Sequence, residues 1–546
     1  MKRTLKKVGS TLLALSMLSV LIPGQAFAAE IEVYHSADDE YTQTVEGDIV
    51  STEEGVFIST GAGLVSVEVL GSVTSVGEGV NVCANGGDVE LQTGDLTVHG
   101  EVGAIVGAWN GSEVELNLGN ISTDGNGTPN LNSVGLVVDN EGASVTVNAG
   151  DITVKDDYVA DGVWVDSTYD ESETNVNVGN IEAENGVMLI AEEGTASVVA
   201  GDIDAIQVGV LAGVDSSSAS VTAGKISGTT GIVADAVGEG SSVKVNAEDV
   251  KASAVGVSVY DHRGSVEIGI DGNLSADTAL IVEAKEGCAT DILVTGTIDG
   301  SAASIIVAGD CDADALQITT WKIDLDGREH AVESMDVSTA VGVFTANNTG
   351  FNETAEAVEK NINYIIKVEQ PQKGAEMSAV DENGNALAQS HGFDVAKENE
   401  KVVLKIDLEK DYRVTGAFNG LGEKQDLMVD ENGNYYVIVA RGGGVYLSVE
   451  LVHSSLTMII AQDEEQNINL KFFENCTYSV RLKDGGEERG SIEMKDGKIV
   501  LVSTEGNENV VGEDGKLQYQ VGGDASQSYE LNFTADEMAT LFNLLR

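Results

Sequence analysis

Basic residues, aromatic rings and cysteines are all scarce in this chain of 546 residues. Its 30 Lys and Arg face 90 Asp and Glu, and the resulting formal charge of -60 argues against nucleic acid and anionic polysaccharide as ligands. Aromatic residues make up only 5% of the chain, which is few for a carbohydrate-binding surface that works by ring stacking. Four cysteines are too few for a disulfide scaffold, although single disulfides are compatible with an exported chain.

Proline is nearly absent, with 3 residues, whereas glycine occurs 64 times and 42% of the residues are hydrophobic. Such a chain can bury a core, so its acidity does not indicate disorder. After the N-terminal segment there is no stretch of 18 apolar residues, and the sequence therefore predicts no membrane span.

The first 29 residues have the pattern of a secretory signal peptide. A basic start precedes an apolar run over residues 12–22, and "AFA" at 26–28 is a small-residue cleavage site. We therefore expect an exported, extracellular protein. The sequence has no lipidation cysteine after this site and no LPxTG-type sorting motif, so any attachment to a cell surface is expected to be non-covalent.

A short phrase such as "VNAGDI" recurs along the first half of the chain. Its glycine position is occupied by Gly47, Gly71, Gly94, Gly119, Gly150, Gly179, Gly201, Gly224, Glu248, Gly272 and Gly296. The steps are 24, 23, 25, 31, 29, 22, 23, 24, 24 and 24 residues. This is a repeat with two insertions, at 122–133 and 154–162. Because insertions in solenoids often cluster on a functional face, we expect these loops to protrude near each other and carry partner contacts, with neutral variation of the surface as the alternative.

Each repeat contains three short pieces of alternating apolar residues, "GD-I", "G-V-x-V" and "S-V-x-V", separated by turn residues. Three strands per repeat predict one triangular coil, whose apolar edge is buried only when coils stack. The predicted fold class is all-β. We expect a parallel β-solenoid over 30–320, a right-handed β-helix of about eleven coils, with glycine forming its tight corners.

This pattern resembles the β-helices of secreted bacterial adhesins and of pectate-lyase-type proteins, over about 290 residues. The resemblance lies in the architecture and carries no family-specific residues, so it implies a fold more than a function.

Three further segments follow the repeats. Residues 321–362 are expected to cap the solenoid, with "NETAEAVEKN" forming a short helix. Residues 363–452 resemble an internalin-B-type β module through "VVLKI", "NGNYYVIV" and "VYLSVEL", although Ala417-Phe418 stands where that family has a tryptophan. Residues 453–546 predict a small β-meander with a helix beginning after Thr534.

Strand parity predicts which side chains of the "G-V-x-V" pieces point outward. If Val163 and Val165 point inward, the outward positions are Phe57, Asn81, Ile105, Val137, Trp164, Met188, Leu211, Val233, Ser258 and Ile281. Eight of these ten are apolar, so we expect either a segment of the chain that covers them or a face for self-association or partner docking. The candidate partner-binding residues are Phe57, Ile105, Val137, Trp164, Met188 and Leu211.

The same position in the "S-V-x-V" pieces predicts an acidic, hydrated face. Its members are Glu68, Glu90, Glu115, Thr146, Asn177, Thr222, Lys244 and Glu267.

The residue after each repeat glycine is usually Asp or Asn, and these side chains should stack about 4.8 Å apart at one corner. We expect a structural ladder that bonds its own backbone. A column of Ca²⁺ sites is the alternative, since carboxylates are Ca²⁺ ligands; no other cofactor is expected.

Cys288 and Cys311 are 23 residues apart, close to one coil. We expect them to be near enough for a disulfide.

No catalytic constellation is evident, and we expect no enzyme activity. The tripeptide Asp261-His262-Arg263 is the one place where these residue types meet, and a solvated corner is the simpler interpretation.

Two functions remain open. The first is a secreted or surface-associated structural or adhesive protein that presents a binding face to a protein or glycan. The alternative is a polysaccharide-binding or polysaccharide-degrading β-helix protein, which would need two carboxylates or a Lys/Arg pair on adjacent coils.

Overall fold

A parallel β-solenoid of about 12 turns spans residues 31–323 in the computed structural model. The model describes residues 30–125, 133–155, 159–308, 311–325, 340–342, 344, 352–409, 412–453, 457–462, 467–473, 475–483 and 485–545. The predicted fold class, a parallel solenoid followed by small β sheets, is confirmed. The handedness stays a prediction, and the predicted signal peptide, residues 1–29, lies outside the described residues.

Each turn of the solenoid contributes strands to three parallel stacks. The stack built from "G-V-x-V" pieces, here called the stripe sheet, begins with Ile31–His35, Val56–Thr60, Val80–Asn85, Val102–Trp109, Ser133–Glu141 and Ala160–Thr168. The "S-V-x-V" pieces form the polar sheet, with strands Tyr41–Val45, Leu64–Val69, Asp88–Gln92, Glu113–Asn117, Ser144–Asn148, Glu173–Asn177, Thr195–Val199, Ser218–Thr222, Ser242–Ala247 and Ser265–Ile270. The "GD-I" pieces form short corner strands, Ile49–Val50, Val73–Ser75, Leu96–Val98, Ile121–Thr123 and Ile152–Val154.

From residue 181 onward the corner strand runs directly into the next strand of the stripe sheet. The merged strands are Ile181–Glu192, Ile203–Asp215, Ile226–Val237, Val250–His262 and Leu274–Ala284. The last turns contain Ala289–Ala308, which runs through all three stacks, then a short 3₁₀ turn at Ala313–Ala315 and the strand Leu316–Ile323.

The core consists of the inward member of every alternating pair. Val163 and Val165 are fully buried, and Val163 pairs in register with Val187, which pairs with Val210. Because each inward side chain packs on its counterpart one turn away, no turn has a complete core alone.

A ladder of side-chain to backbone hydrogen bonds runs up one corner. The Oδ1 atom of Asp151 accepts from the backbone N of Asn180 at 2.7 Å, and Oδ1 of Asn180 accepts from the N of Asp202 at 2.8 Å. Equivalent bonds are accepted by Asp48, Asp95, Asn120, Asp202, Asp249 and Asn273. The structural interpretation of this corner is therefore confirmed.

The same ladder explains the repeat glycine. A Cβ on Gly179 would lie 2.3 Å from Oδ1 of Asp151, and a Cβ on Gly201 would lie 2.5 Å from Oδ1 of Asn180. The glycine is thus needed because the side-chain oxygen of the preceding turn occupies the space of a Cβ, and at these two positions no positive φ is involved.

The C-terminal end of the solenoid is closed by later segments of the chain. The predicted helix is confirmed as Glu353–Asn361, with Asn352 accepting from the N of Ala355 at 3.1 Å. The strand Asn363–Ile365 then pairs in parallel with the last solenoid strand. Three further strands pair antiparallel at this end, Ala340–Gly342, Ala388–Ser390 and Phe393–Ala396.

The described chain divides into two compact units. The first comprises 1–365, 388–400 and 439–444, and the second comprises 366–387, 401–438 and 445–546. The predicted boundaries at 362/363 and 452/453 therefore do not coincide with the unit boundaries. The reason is that the strand Phe393–Ala396 pairs with Asn363–Ile365, which continues the solenoid's sheet.

The second unit contains four β-sheets, in which most strand pairs are antiparallel. The strands of the first are Lys367–Val368, Tyr446–His453, Tyr412–Asn419 and Gln425–Asp426, and those of the second are Ala375–Val380, Lys401–Leu408, Tyr435–Ile438 and Met428–Val429. The predicted meander is confirmed as Thr457–Gln462, Ile468–Phe473, Thr477–Leu482, Glu487–Lys495, Lys498–Ser503 and Glu508–Val510. A hairpin of Lys516–Gln520 and Ser528–Asn532, a 3₁₀ turn at Val521–Gly523 and the helix Ala535–Leu544 complete the chain. Thr534 and Glu537 form the predicted capping box.

The expected disulfide between Cys288 and Cys311 is not formed in the structure, where both side chains are buried thiols. The turn at this end is longer than the expectation assumed, because Thr290 pairs with Leu316, twenty-six residues further on. Cys311 therefore falls three residues short of the position that stacks on Cys288.

The Cys288 thiol instead takes the place of a serine hydroxyl. Its Sγ accepts from the backbone N of Arg263 at 2.9 Å and donates to the carbonyl of Asp261 at 3.2 Å. In an earlier turn Oγ of Ser241 accepts from the N of Ser216 at 2.8 Å and donates to a carbonyl of the same corner. Cys288 thus belongs to a column of hydrogen-bonding turn residues.

This role predicts the effect of replacing Cys288. Cys288→Ser should keep the unfolding free energy unchanged within about 0.5 kcal/mol, whereas Cys288→Ala should lose about 1–3 kcal/mol because the backbone N of Arg263 loses its partner, while the carbonyl of Asp261 still accepts from the N of Lys285. Urea denaturation followed by circular dichroism measures both. The disulfide interpretation would be correct if Cys288→Ser and Cys311→Ser lost equal amounts of unfolding free energy and a non-reducing peptide map showed the two cysteine peptides joined.

The corner ladder predicts a contrast at Asp151. Asp151→Asn should be nearly neutral, because the amide oxygen can still accept from Asn180 and the chain itself has Asn at several ladder positions. Asp151→Ala should cost about 0.5–1.5 kcal/mol, since the backbone N of Asn180 loses this hydrogen bond at an exposed corner. If the two variants are equally destabilised, or if added Ca²⁺ stabilises only the unmodified chain, the negative charge and not the hydrogen bond is what matters.

Candidate binding face

The predicted outward residues form one ladder along the stripe sheet. Reading the register gives Phe57, Asn81, Ile105, Val137, Trp164, Met188, Leu211, Val233, Ser258 and Ile281, which we call the stripe. All ten are half-buried. The predicted parity is confirmed, and the six candidate partner-binding residues lie in this single column; their role in binding stays a prediction.

The stripe contributes to the accessible surface of the described structure. Its members retain part of their exposure, whereas Val163 and Val165 beside Trp164 are fully buried. The ladder continues to Ile306, which is buried and pairs with Gly342. A segment of the expected cap therefore meets the ladder at its C-terminal end.

A second outward column, two residues further along each strand, was missed by the sequence analysis. It contains Ser59, Cys83, Gly107, Asp139, Asp166, Ile190, Gly213, Asp235, Tyr260 and Glu283. The sequence does contain a signal for it, because the strand alternation that predicts the stripe also assigns an outward position two residues further along each strand. Unlike the stripe, this column is rich in carboxylates.

Three of these carboxylates are partly desolvated. Burial raises the pKa of Asp139, and the charges of Glu141 and Asp166 raise it further. Burial, then the charge of Glu141, raises the pKa of Asp166. Burial also raises the pKa of Asp235, with His262 acting in the opposite direction. The apolar surroundings of the stripe thus penalise the charged form of its acidic neighbours.

A third column lies two residues beyond the second. It consists of two in-register runs, the first with Asn85, Trp109, Glu141 and Thr168 and the second with Glu192, Asp215, Val237 and His262. The ring of Trp109 lies back over Gly107, where a Cβ would be 2.3 Å from the indole. The three columns together are called the stripe face.

Aromatic contacts lie at both ends of the stripe face. Tyr34 is 71% exposed, and its ring centroid is 5.2 Å from that of Phe57. At the other end Tyr260 stacks on His262 with centroids 3.9 Å apart, and Nε2 of His262 is 2.8 Å from a carboxylate oxygen of Glu283.

The Asp261-His262-Arg263 segment is a structural turn. Asp261 is fully buried and not at a solvated corner; it accepts from the N of Gly264 at 3.0 Å and from Oγ1 of Thr290 at 2.9 Å. Arg263 has a φ of 81°. The hydrogen-bonding capacity of the Asp261 side chain is therefore used in fixing the turn.

The polar sheet differs from the prediction in register. Glu90 stacks on Ser66 and on Glu115, so Glu68, Asn177 and Thr222 belong to the neighbouring outward column. That column includes an amide ladder, in which Asn148 donates to Asn117 and Asn177 donates to Asn148, each at 2.9 Å. A shallow groove of about 260 Å³ on this sheet is lined mainly by Ser, Thr and Ala.

The two insertions leave the solenoid from stacked positions. Thr123 pairs with Val154 where they begin, and Ser133 pairs with Ala160 where they end. Residues 126–132 and 156–158 lie outside the described residues, so the expectation that these loops carry partner contacts stays a prediction.

Within the described part of the chain, no group of three or more His, Cys, Asp or Glu side chains is arranged to hold a metal ion. No described helix is long and apolar enough to cross a membrane.

Comparison of the whole chain with known proteins gives no match to a family model, a curated protein or a solved structure. What the structure supports is a parallel β-solenoid followed by small β sheets, and the resemblances to adhesins, pectate lyases and internalin B stay predictions.

Strand parity predicts that substitutions at two neighbouring positions, one outward and one inward, lower the unfolding free energy by different amounts. Trp164→Ser should cost about 1–2 kcal/mol, because the indole is only partly buried on an outer face and its removal leaves no enclosed cavity. Val163→Ser should cost about 2–4 kcal/mol, since it leaves a cavity and a buried hydroxyl. Denaturant titration compares the two, and unfolding of the Trp164 variant would mean that the stripe is internal packing.

Proposed function

We propose that the chain is a secreted or surface-associated bacterial protein of structural or adhesive type, without catalytic activity. The solenoid would act as a rigid acidic rod, and the stripe face would bind a protein or glycan on a cell surface, or a second copy of the chain. The signal-peptide pattern of residues 1–29 supports export.

The observation that carries this proposal is the continuous apolar column. Ten rungs, nine intervals of about 4.8 Å, would extend over roughly 43 Å, and eight of the ten residues are apolar. Proteins in water rarely leave an apolar strip of this length open unless it meets a partner. A stacked sheet also holds these side chains in fixed positions, which lowers the entropy cost of binding.

Polysaccharide binding or degradation is the second candidate, and one observation favours it. Asp139 pairs with Asp166 on adjacent turns, and both carboxyl groups have raised pKa values. Glycoside hydrolases use two carboxyl groups, one of them with a raised pKa as the acid. Trp164 and Trp109 on the same face could contact a sugar ring.

Binding by the stripe predicts the behaviour of a double variant. Trp164→Ser with Leu211→Ser should reduce capture of cell-wall and mucosal proteins or glycans by the mature chain at least about tenfold, since such anchors carry most of the binding energy. A matched control, Glu90→Ser with Lys244→Ser on the polar sheet, should bind normally. Circular dichroism checks that both variants keep their strands.

Three outcomes would change the assignment. Equal capture by both double variants would contradict binding through the stripe. Loss of sedimenting dimers in the Trp164/Leu211 variant, without loss of other partners, would assign the stripe to self-association. Release of reducing ends from neutral or acidic polysaccharides, abolished by Asp139→Asn with Asp166→Asn, would replace the adhesive function by an enzymatic one.

A further inference from the structure

We propose that the partner of the stripe face is a cationic amphipathic segment of another polypeptide. Its apolar side chains would lie on the stripe, and its Lys or Arg side chains would pair with the two acidic columns. This inference rests on the proposed function and specifies the chemistry of the partner.

Over most of its length the only charged side chains on the stripe face are negatively charged. From the Phe57 rung to the Val233 rung, the three outward columns contain Asp139, Asp166, Asp235, Glu141, Glu192 and Asp215. The same rungs contain no Lys, Arg or His. Beyond these rungs, His262 and Lys285 lie at the C-terminal end, each with a side-chain nitrogen 2.8 Å from a Glu283 oxygen.

The spacing of the columns suits one amphipathic segment. Outward residues two positions apart on a strand are separated by about 6.6 Å, so carboxylates run parallel to the apolar column at roughly 7 and 13 Å from it. Lys and Arg side chains can bridge such distances while their alkyl stems cover apolar surface. The face is roughly 43 Å by 13 Å, less than the area that one partner buries in a standard protein interface, and this matches a segment better than a whole domain.

The electrostatic state of the acids also favours a cationic partner. Burial and neighbouring carboxylates raise the pKa of Asp139 and Asp166, and no positively charged group in the described part of the chain lowers it. Oδ1 of Asp235 is buried with no hydrogen-bond partner among the described residues. A positively charged group placed over these columns would favour the ionised carboxylates.

The same charges disfavour the other occupants of the face. A second copy would bring another chain of formal charge -60, and anionic glycan or nucleic acid would be repelled in the same way. Charge complementarity therefore selects a basic polypeptide over self-association.

The test is a calorimetric titration of the mature chain with three synthetic peptides of equal length. The first is an amphipathic peptide of Leu and Lys, the second replaces Lys by Glu, and the third replaces Leu by Ser. We expect binding of the Leu/Lys peptide, at least about tenfold weaker binding of the Ser/Lys peptide, no binding of the Leu/Glu peptide, and weakening with added NaCl.

Two isosteric variants locate the contact. Asp139→Asn with Asp166→Asn should weaken binding of the Leu/Lys peptide at least about tenfold. Glu90→Gln with Glu115→Gln, the same charge change on the polar sheet, should alter it less than about twofold. The first variant is expected to fold, because a carboxylate whose pKa is raised in the folded state costs stability at neutral pH and its amide does not.

Equal binding to both variants, or equal binding of the Leu/Glu peptide, would overturn the inference. If capture of a natural partner depends on Trp164 and Leu211 but not on Asp139 and Asp166, the cationic partner is wrong while the proposed function stands. Dimerisation lost with Trp164→Ser and Leu211→Ser would likewise replace the cationic partner by a second copy.

Discussion

The structure depends on one hydrogen bond repeated at a corner. The side-chain oxygen of an Asp or Asn accepts from the backbone N of the same position one turn later, as in Asp151 and Asn180. The oxygen occupies the space beside Gly179, so acceptor and glycine are required together. This pair reinforces the stacking of most turns on the next. After Ser72 and Lys225, which have no carboxylate or amide oxygen, the turns still stack in register through backbone pairing.

The repeat period and strand parity were sufficient to predict most of the solenoid. The glycine spacing located the turns, and alternation assigned Val163 to the core and Trp164 to the surface. The Asp and Asn ladder was also predictable, because the residue type recurs at one position. These features are local and repeat many times, so a single turn contains the information.

Features that depend on a single turn or on distant segments were not predictable. The disulfide expectation failed because the turn from Thr290 to Leu316 is longer than the repeat, and because the Cys288 thiol is used as a hydrogen-bonding group. The division of residues 363–452 between two units follows from long-range pairing of Phe393–Ala396, which no local pattern indicates. The residues of the acidic columns beside the stripe follow the "G-V-x-V" pieces in the sequence. They could not be assigned to columns because the sequence does not show how far each strand continues beyond its "G-V-x-V" piece.

The functional proposal depends on the straightness of the stripe, because only an in-register column presents its apolar residues together. Pulsed electron paramagnetic resonance on spin labels measures this directly, with Phe57 paired in turn with Met188, Val233 and Ile281 and the native cysteines replaced by Ser. Five, seven and nine turns at about 4.8 Å predict distances of roughly 24, 34 and 43 Å, increasing linearly with the number of turns. Distances that depart from this linear increase would contradict the account, as would a Phe57–Met188 distance, which spans both insertions, that differs from the Trp164–Ile281 distance over the same five turns.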